Sequence, residues 1–161
     1  MQYTLDQSDT VTTPSGATLY RIRYVDGTRG GYLQSTANLD PGSNARVYGN
    51  AWVYGNAWVY GDAQVSGDAQ VSGDAQVYGN AQVSKTSHYM TLGPLGSRNA
   101  FLTVCRDSKL GISYTTGCFF GSREAFVAAV ESTHGDTSHG NAYAAAVMLA
   151  DHVVPAFTPE T

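Results

Sequence analysis

The sequence predicts a mainly β protein with two helices, built around a short solenoid. A six-residue repeat fills the centre of the 161-residue chain, stretches of alternating polarity flank it, and two helical patterns of apolar residues follow. We therefore expect three parts. Residues 1–43 form an N-terminal cap and entry rung, residues 44–84 form the solenoid, and residues 85–161 form a C-terminal cap domain with a β-hairpin and two helices.

The segment before the repeat predicts strands that close one end of the solenoid. "ATLYRIRYVDG" at 17–27 alternates between apolar and polar residues as a half-buried strand does. "GGYLQSTANL" at 30–39 predicts an irregular entry rung. The end coils of a solenoid have no neighbour on one side, so they require caps.

The repeat itself predicts a three-sided coil. Residues 44–84 read NARVYG NAWVYG NAWVYG DAQVSG DAQVSG DAQVYG NAQVS, which is seven units without a slip. Alanine and, two positions later, valine give an in–out–in pattern, which is typical of a strand with one buried face. The glycine and the Asn or Asp that follow are turn formers, so each hexad makes one strand and one corner. Three hexads close a coil of eighteen residues, and seven make about two and a third coils.

The outward position of each hexad predicts a contact surface on the first coil. It holds Arg46, Trp52 and Trp58 and then four glutamines, and tyrosines occupy several corners. Clustered exposed aromatic residues mark contact surfaces. Two occupants stay open: the N-terminal strands or a neighbouring subunit, and a ligand stacked on Trp52 or Trp58.

The part after the repeat predicts a hairpin of strands followed by two helices. "SHYMTLG", "NAFLTVCRD" and "GISYTTGCFF" read as strands, with "DSKLG" as a turn. Apolar spacing predicts one helix over 123–133 and another over 141–154, which Pro155 ends. The apolar residues of these helices are Phe126, Val127, Val130, Tyr143, Val147, Met148 and Leu149.

The stretch "GSRNAF" at 96–101 returns as "GSREAF" at 121–126. In the second copy Ser122 precedes a helix and reads as its N-cap, with Glu124 in the first turn. The first copy follows a Gly-Pro pair and reads as a loop before a strand. Turn chemistry accounts for both copies, and the alternative is one shared anion-binding pocket, because loop amides and helix starts attract anions. The residues of that candidate site are Gly96, Ser97, Arg98, Ser122 and Arg123.

The linker "THGDTSHG" at 133–140 predicts helix caps. Gly135 fits the end of the first helix, and Asp136 or Ser138 fits the start of the second. No fixed-spacing motif supports a metal site, so we expect no metal and no cofactor. Two chemical alternatives use these residues: a metal site of His134, Asp136 and His139, and a nucleophilic triad of Cys118, His134 and Asp136.

Composition excludes some partners. The net charge is −4 and no block of Lys and Arg occurs, which argues against binding to duplex DNA. The sequence shows neither a signal peptide nor an apolar run long enough to span a membrane, so we expect a cytoplasmic protein without a membrane partner. Cys105 and Cys118 lack metal-type spacing and read as buried free thiols, with a disulfide as the alternative.

The hexads resemble the hexapeptide-repeat family of left-handed β-helix proteins. The family motif is an aliphatic residue followed four places later by a small one, and Val47 with Ala51 and each later pair match it. The resemblance implies a short left-handed β-helix and a homo-oligomer, with a trimer favoured. It also brings the commonest enzyme of that fold, an acyltransferase, as a hypothesis. The hexads carry no histidine and no inserted loop, and His88 is the nearest candidate base, so we do not expect an enzyme.

Almost the whole chain resembles a family of phage and prophage accessory proteins. The motifs are "YRIR", "GGYLQSTANL", the hexads, "GPLGSRN", "TGCFFGS" and "THGD". The resemblance implies a protein in the cytoplasm of a bacterial host cell that binds, blocks or sequesters a host component. Our first hypothesis is a non-enzymatic oligomer that sequesters a small anionic ligand, such as a cyclic nucleotide messenger of anti-phage defence. The alternative is a structural or protein-interaction module, either a phage assembly part or a direct inhibitor of a host protein.

Overall fold

The computed structural model describes residues 2–117 and 119–158 and divides into two compact units, Met1–Thr86 and Ser87–Thr161. Cys118 lies outside the described residues, so the prediction about its pairing and the triad that includes it have no structural counterpart here. The strands of the first unit are β1 (Tyr3–Thr12), β2 (Thr18–Tyr24), β3 (Arg29–Leu33), β4 (Arg46–Val47), β5 (Trp52–Val53), β6 (Trp58–Val59), β7 (Gln64–Val65), β8 (Gln70–Val71), β9 (Gln76–Val77) and β10 (Gln82–Val83).

The hexads form a β-solenoid with three sides. Each hexad contributes one two-residue strand, and parallel partners lie eighteen residues apart, as in Arg46↔Gln64↔Gln82. One side has the order β3-β5-β8, a second has β4-β7-β10, and a third pairs β6 with β9. The predicted eighteen-residue coil is confirmed.

The entry rung completes a further coil. β3 pairs with β5 on the first side, and Leu39 bridges to Val59 on the third side. The two partners in each of these pairs are twenty residues apart in sequence, because a turn over residues 40–43 inserts two residues between Leu39 and β4. Together with the hexads, the rung gives nine sides, or three coils, where the hexads alone supply about two and a third.

The interior of the coils is alanine and valine. Every alanine and valine of the hexads is at most 3% exposed. The corner glycines at 49, 55, 61, 67, 73 and 79 have φ between 60° and 71°, a conformation that glycine adopts without strain. At two corners an Asn amide donates to the Asp one coil further on, from Asn44 to Asp62 at 3.0 Å and from Asn56 to Asp74 at 3.2 Å. These columns alternate amides with carboxylates, so like charges do not stack.

A hairpin of β1 and β2 binds the first coil. β2 pairs with both β1 and β3, which extends the first side of the solenoid. The Tyr24 hydroxyl accepts from the Val47 N–H at 2.8 Å and donates to the Val47 carbonyl at 3.2 Å, and the Tyr3 hydroxyl donates to the Leu39 carbonyl at 2.7 Å. The hairpin thus satisfies backbone groups on the two other sides. Burial raises the pKa of both tyrosines to about 12.

The second unit is a four-stranded antiparallel sheet with two helices against one face. The sequence predicts three strands here, but the third predicted stretch, "GISYTTGCFF", contains two strands, with the turn at Gly117. The strands pair in chain order. The elements are β11 (Tyr89–Leu95), β12 (Ala100–Asp107), β13 (Gly111–Thr116), β14 (Phe119–Ser122), α1 (Arg123–Thr133) and α2 (Ser138–Val153), and their core consists of Leu102, Val104, Tyr114, Phe126, Tyr143, Ala146, Val147, Ala150 and Val154.

The two helices begin and end at specific caps. α1 has the predicted bounds, and Gly135, at φ 54°, donates to the Val130 and Glu131 carbonyls and closes it. α2 begins at Ser138, three residues before the predicted start. Its cap is Thr137, whose hydroxyl accepts from the Gly140 N–H at 3.3 Å, and not Asp136 or Ser138 as predicted. No helix in the part of the chain that the structure describes is long and apolar enough to cross a membrane.

Candidate functional site

A cleft in the second unit brings the first GSR copy against an aromatic wall. We name it the Arg98 cleft, and it consists of two cavities of about 320 Å³ and 200 Å³ that share five lining residues. The shared residues are Thr116, Phe119, Thr133, His134 and Tyr143; the larger cavity adds Ser97, Arg98, Ala100 and Gly117, and the smaller adds Phe126, Ala129 and Val130.

The loop over residues 96–99 holds Ser97 and Arg98 at the larger cavity. The Asn99 N–H donates to the Gly96 carbonyl at 3.2 Å and closes the turn. Gly96 is buried at φ 75°, and a Cβ on it would collide with the hydroxyl of Tyr143. That hydroxyl donates to the Leu95 carbonyl at 3.5 Å. A glycine is therefore required at 96 for both its backbone angle and its space, and the loop rests on the end of the Tyr143 side chain.

Arg98 supplies a cation whose charge no described residue neutralises. Its side chain is exposed, and among residues 2–117 and 119–158 it forms no ion pair and no hydrogen bond. The arginines at 21, 23, 29, 46 and 123 each bind a carboxylate. Arg98 is therefore available to an anion, with the Ser97 hydroxyl beside it in sequence and on the same cavity.

The rest of the cleft wall is a cluster of rings. His134 stacks on Tyr143 with ring centroids 5.7 Å apart, and Phe126 meets both Tyr143 and Phe119 edge to face at 5.6 and 5.4 Å. Phe126 is buried among its neighbours, so these contacts fix the wall. The cleft thus has a polar, cationic end in the larger cavity and an apolar end in the smaller one.

The second GSR copy serves the helix instead. The Ser122 hydroxyl accepts from the Ala125 N–H at 3.1 Å, as the predicted N-cap. Arg123 donates through Nε and Nη2 to the two carboxylate oxygens of Asp151 at 2.8 and 2.7 Å. This pair raises the pKa of Arg123 and lowers that of Asp151. Arg123 lines a separate cavity between the helices, so the structure does not bring Arg98, Ser122 and Arg123 into one pocket.

The two tryptophans lie on the solenoid and contact neighbouring tyrosines. Trp52 is half-buried and meets Tyr54 edge to face at 6.4 Å. Trp58 is 39% exposed and stacks on Tyr60 at 3.9 Å, which in turn stacks on Tyr78 at 4.4 Å. We call these three rings the aromatic column. It runs along one corner of the solenoid over two coils, because Tyr78 lies eighteen residues after Tyr60.

The geometry of the described residues gives little support to a metal site, a thiol nucleophile or an acyltransferase base. His134 and His139 meet edge to face at 5.7 Å, but the described residues contain no group of three metal-binding side chains. Cys105 is a buried free thiol, and burial followed by the charge of Asp107 raises its pKa to about 12. A thiol in that state stays protonated, and the thiolate is the nucleophile. His88, the candidate base of an acyltransferase, is buried.

Most of the cleft wall was not predicted from the sequence. Tyr143 was assigned to a helix face and His134 to a linker, and no role was predicted for Phe119, Thr116 and Thr133. These residues come from β13, β14, α1 and α2 and its linker, and no linear spacing connects them. The close contact between Gly96 and Tyr143 links the loop to this wall, and only the three-dimensional structure shows it.

Comparison with known proteins supports the architecture. Residues 45–61 and 63–79 match the family model described as the YdcK β-solenoid repeat. Both matched stretches lie within the hexads, so the similarity concerns the solenoid and not the Arg98 cleft. A search of curated proteins found no match.

Proposed function

We propose that this protein is a non-enzymatic binding protein that holds a small aromatic anion, such as a nucleotide, in the Arg98 cleft. The observation that carries the proposal is that two features lie in the same cleft. One is Arg98, which has no carboxylate partner among the described residues, and the other is an aromatic wall.

The charged end of the cleft fits a phosphate group. A guanidinium offers planar paired donors that match phosphate oxygens, and a hydrogen bond to a charged group contributes about 1.5–3 kcal/mol. Ser97 and Thr116 line the same cavity and add hydroxyl donors. The overall charge of −4 does not oppose this, because one local arginine acts at contact distance.

The apolar end of the cleft fits a nucleobase. Stacking of a base on an aromatic side chain contributes about 1–3 kcal/mol. The aromatic residues Phe119, His134 and Tyr143 line both cavities. Volumes of about 320 and 200 Å³ suit a ligand of nucleotide size, since pockets for small molecules span roughly 300–1,000 Å³.

The phage-type resemblance gives this binding a biological purpose. We propose that the protein acts in the cytoplasm of a bacterial host as a homo-oligomer with a left-handed solenoid and sequesters a cyclic nucleotide messenger of anti-phage defence. A sequestering protein needs affinity and slow release but no turnover. The absence of a reactive cysteine or metal group among the described residues is compatible with that role.

Isothermal titration calorimetry with a panel of cyclic mono-, di- and trinucleotides tests the proposal. We expect a dissociation constant in the low micromolar range or tighter for at least one member. Arg98→Ala should weaken that binding by about 10- to 100-fold, the loss of one charged hydrogen-bonding group. Lys109→Ala, which removes an exposed cation elsewhere in the same unit, is the matched control and should bind as the wild type does. No heat with any member of the panel would exclude the proposed ligand class.

The aromatic column supports a second candidate function, a protein-interaction module. Trp58 is partly exposed at the end of a stack of three rings, and large exposed aromatic surfaces mark protein contacts. A pull-down from the bacterial host would then recover one protein in stoichiometric amount, and Trp58→Ala would abolish the recovery while Arg98→Ala would not.

A further inference from the structure

The middle of the Arg98 cleft differs chemically from its two ends. Three side chains that line both cavities carry polar groups that form no hydrogen bond to the described residues: Thr116, Thr133 and His134. The other two shared residues offer less, because the Phe119 side chain has no polar atom and the Tyr143 hydroxyl donates to the Leu95 carbonyl. We call the three polar side chains the junction, since they lie where the larger, cationic cavity meets the smaller, apolar one.

The backbone directs both threonine side chains towards the cleft. Thr116 ends β13 and lies two residues after Tyr114, so its side chain is on the same face of the sheet as that core residue. Thr133 ends α1 and lies about two turns after Phe126, so it continues the helix face that packs against the aromatic wall. The two hydroxyls therefore reach the same space, one from the sheet and one from a helix.

Ring contacts hold the His134 imidazole and leave its nitrogens unused by the described residues. The ring stacks on Tyr143 and meets His139 edge to face, with both pairs of centroids 5.7 Å apart. The same residue ends α1, and its backbone N–H donates to the Val130 carbonyl at 2.8 Å. Because backbone and ring are both fixed, the two nitrogens are placed in advance for a hydrogen bond to a ligand.

The hydrogen-bonding capacity of the junction matches a hydroxyl group better than a phosphate. Charged phosphate oxygens accept hydrogen bonds and donate none, so the acceptor sites of the two threonines would stay unused beside a phosphate. A ribose 2′-hydroxyl both donates and accepts, as a threonine hydroxyl and a neutral imidazole do. In a 3′,5′-linked cyclic nucleotide the 2′-hydroxyl is the free hydroxyl of the sugar, because the other two ribose oxygens are bonded to phosphorus.

The order of the groups along the cleft follows the order of the groups in a nucleotide. Arg98 marks the phosphate end, the junction is in the middle and the apolar cavity takes the base, just as the sugar joins phosphate to base in the ligand. We propose, on the basis of the nucleotide site proposed above, that Thr116, Thr133 and His134 bind the ribose 2′-hydroxyl. The cleft thereby selects ribonucleotides over deoxyribonucleotides.

Isothermal titration calorimetry of matched nucleotide pairs tests this selection. Each 3′,5′-linked adenine and guanine member of the cyclic nucleotide panel is titrated into the full chain beside its 2′-deoxy analogue. We expect the 2′-deoxy form to bind about 5- to 30-fold more weakly, which is the effect of one or two hydrogen bonds. Equal affinity of the two forms would overturn the assignment of the junction and leave the nucleotide site itself in place. No heat with any ribonucleotide would instead refute the proposed function, and this selection with it.

Two variants show whether the junction makes the difference. Thr116→Val keeps the shape of the side chain without its hydroxyl, and His134→Phe keeps a ring against Tyr143 without the nitrogens. Each should reduce the ratio of ribonucleotide to deoxyribonucleotide affinity at least about twofold, whereas a purely structural loss weakens both forms alike. His139→Phe is the control, because His139 is exposed, contacts the His134 ring and lines neither cavity, so the ratio should stay as in the wild type. An unchanged ratio in both Thr116→Val and His134→Phe would contradict the proposal.

Discussion

Replacing Tyr24 by Phe tests how the hairpin closes the first coil. The change removes only the hydroxyl and keeps the ring. The centroid of that ring lies 6.2 Å from the ring centroid of Tyr3 and 4.5 Å from Cζ of the Arg46 guanidinium. That hydroxyl both accepts from and donates to the buried backbone of Val47. Two net hydrogen bonds of about 0.5–1.5 kcal/mol each disappear, and a buried N–H without a partner adds to the cost. We expect Tyr24→Phe to lower the free energy of unfolding by about 2–4 kcal/mol.

Tryptophan fluorescence during urea denaturation measures this loss of stability specifically in the first structural unit. The sequence contains two tryptophans, Trp52 and Trp58, and both lie in the solenoid, so the signal reports the first unit alone. Tyr54→Phe is the control, because its hydroxyl forms no hydrogen bond to the described residues and its loss should change stability by less than about 0.5 kcal/mol. A Tyr24→Phe midpoint equal to that of the control would show that the hydroxyl does not stabilise the first coil.

Three further predictions concern both units. Gly61→Ala should destabilise the solenoid more than Gly73→Ala does. Both glycines have φ near 70°, but a new Cβ would meet the ring of Tyr78, at 2.9 Å, only at position 61. Equal losses in urea midpoint would contradict this packing. Tyr114→Phe should leave the thermal midpoint unchanged or raise it, since the Tyr114 hydroxyl is buried without a hydrogen-bond partner among the described residues, and a clear fall in calorimetry would argue against it. Stability should fall as pH rises from about 10 to about 12, because the folded pKa values of three tyrosines lie above the unfolded value of 10 and the unfolded chain loses those protons first. A free energy of unfolding that stays constant over that range would contradict the burial of Tyr3, Tyr24 and Tyr114.

Much of the solenoid was predictable because its pattern is local and repeated. The Ala-x-Val spacing fixes which side chains face inward, and Gly with Asn or Asp fixes the corners, so the eighteen-residue coil follows from one hexad and its copies. Strand β1 was not predicted. It is an edge strand whose residues are mostly polar and partly exposed, so it shows little apolar alternation. The entry rung over residues 30–39 was predicted, but its completion of a whole coil was not, because Leu39 contributes a single bridge to its neighbour.

The candidate site was predictable only in part. The turn residues Gly96, Ser97 and Arg98 are adjacent in sequence, so the loop could be recognised as a candidate anion site. Its separation from Arg123 depends on an ion pair to Asp151, twenty-eight residues away, which no local pattern indicates. The aromatic wall likewise requires the antiparallel order of the sheet and the crossing of two helices.

Ligand binding in the Arg98 cleft can be measured by native mass spectrometry of the protein purified from bacterial cells with an active anti-phage nucleotide signal. We expect the wild-type protein to carry an added mass of nucleotide size, and Arg98→Ala purified in the same way to have only the mass of the polypeptide. Wild-type protein without a bound ligand, or an Arg98→Ala variant that retains the same ligand to the same extent, would contradict the assignment of the Arg98 cleft.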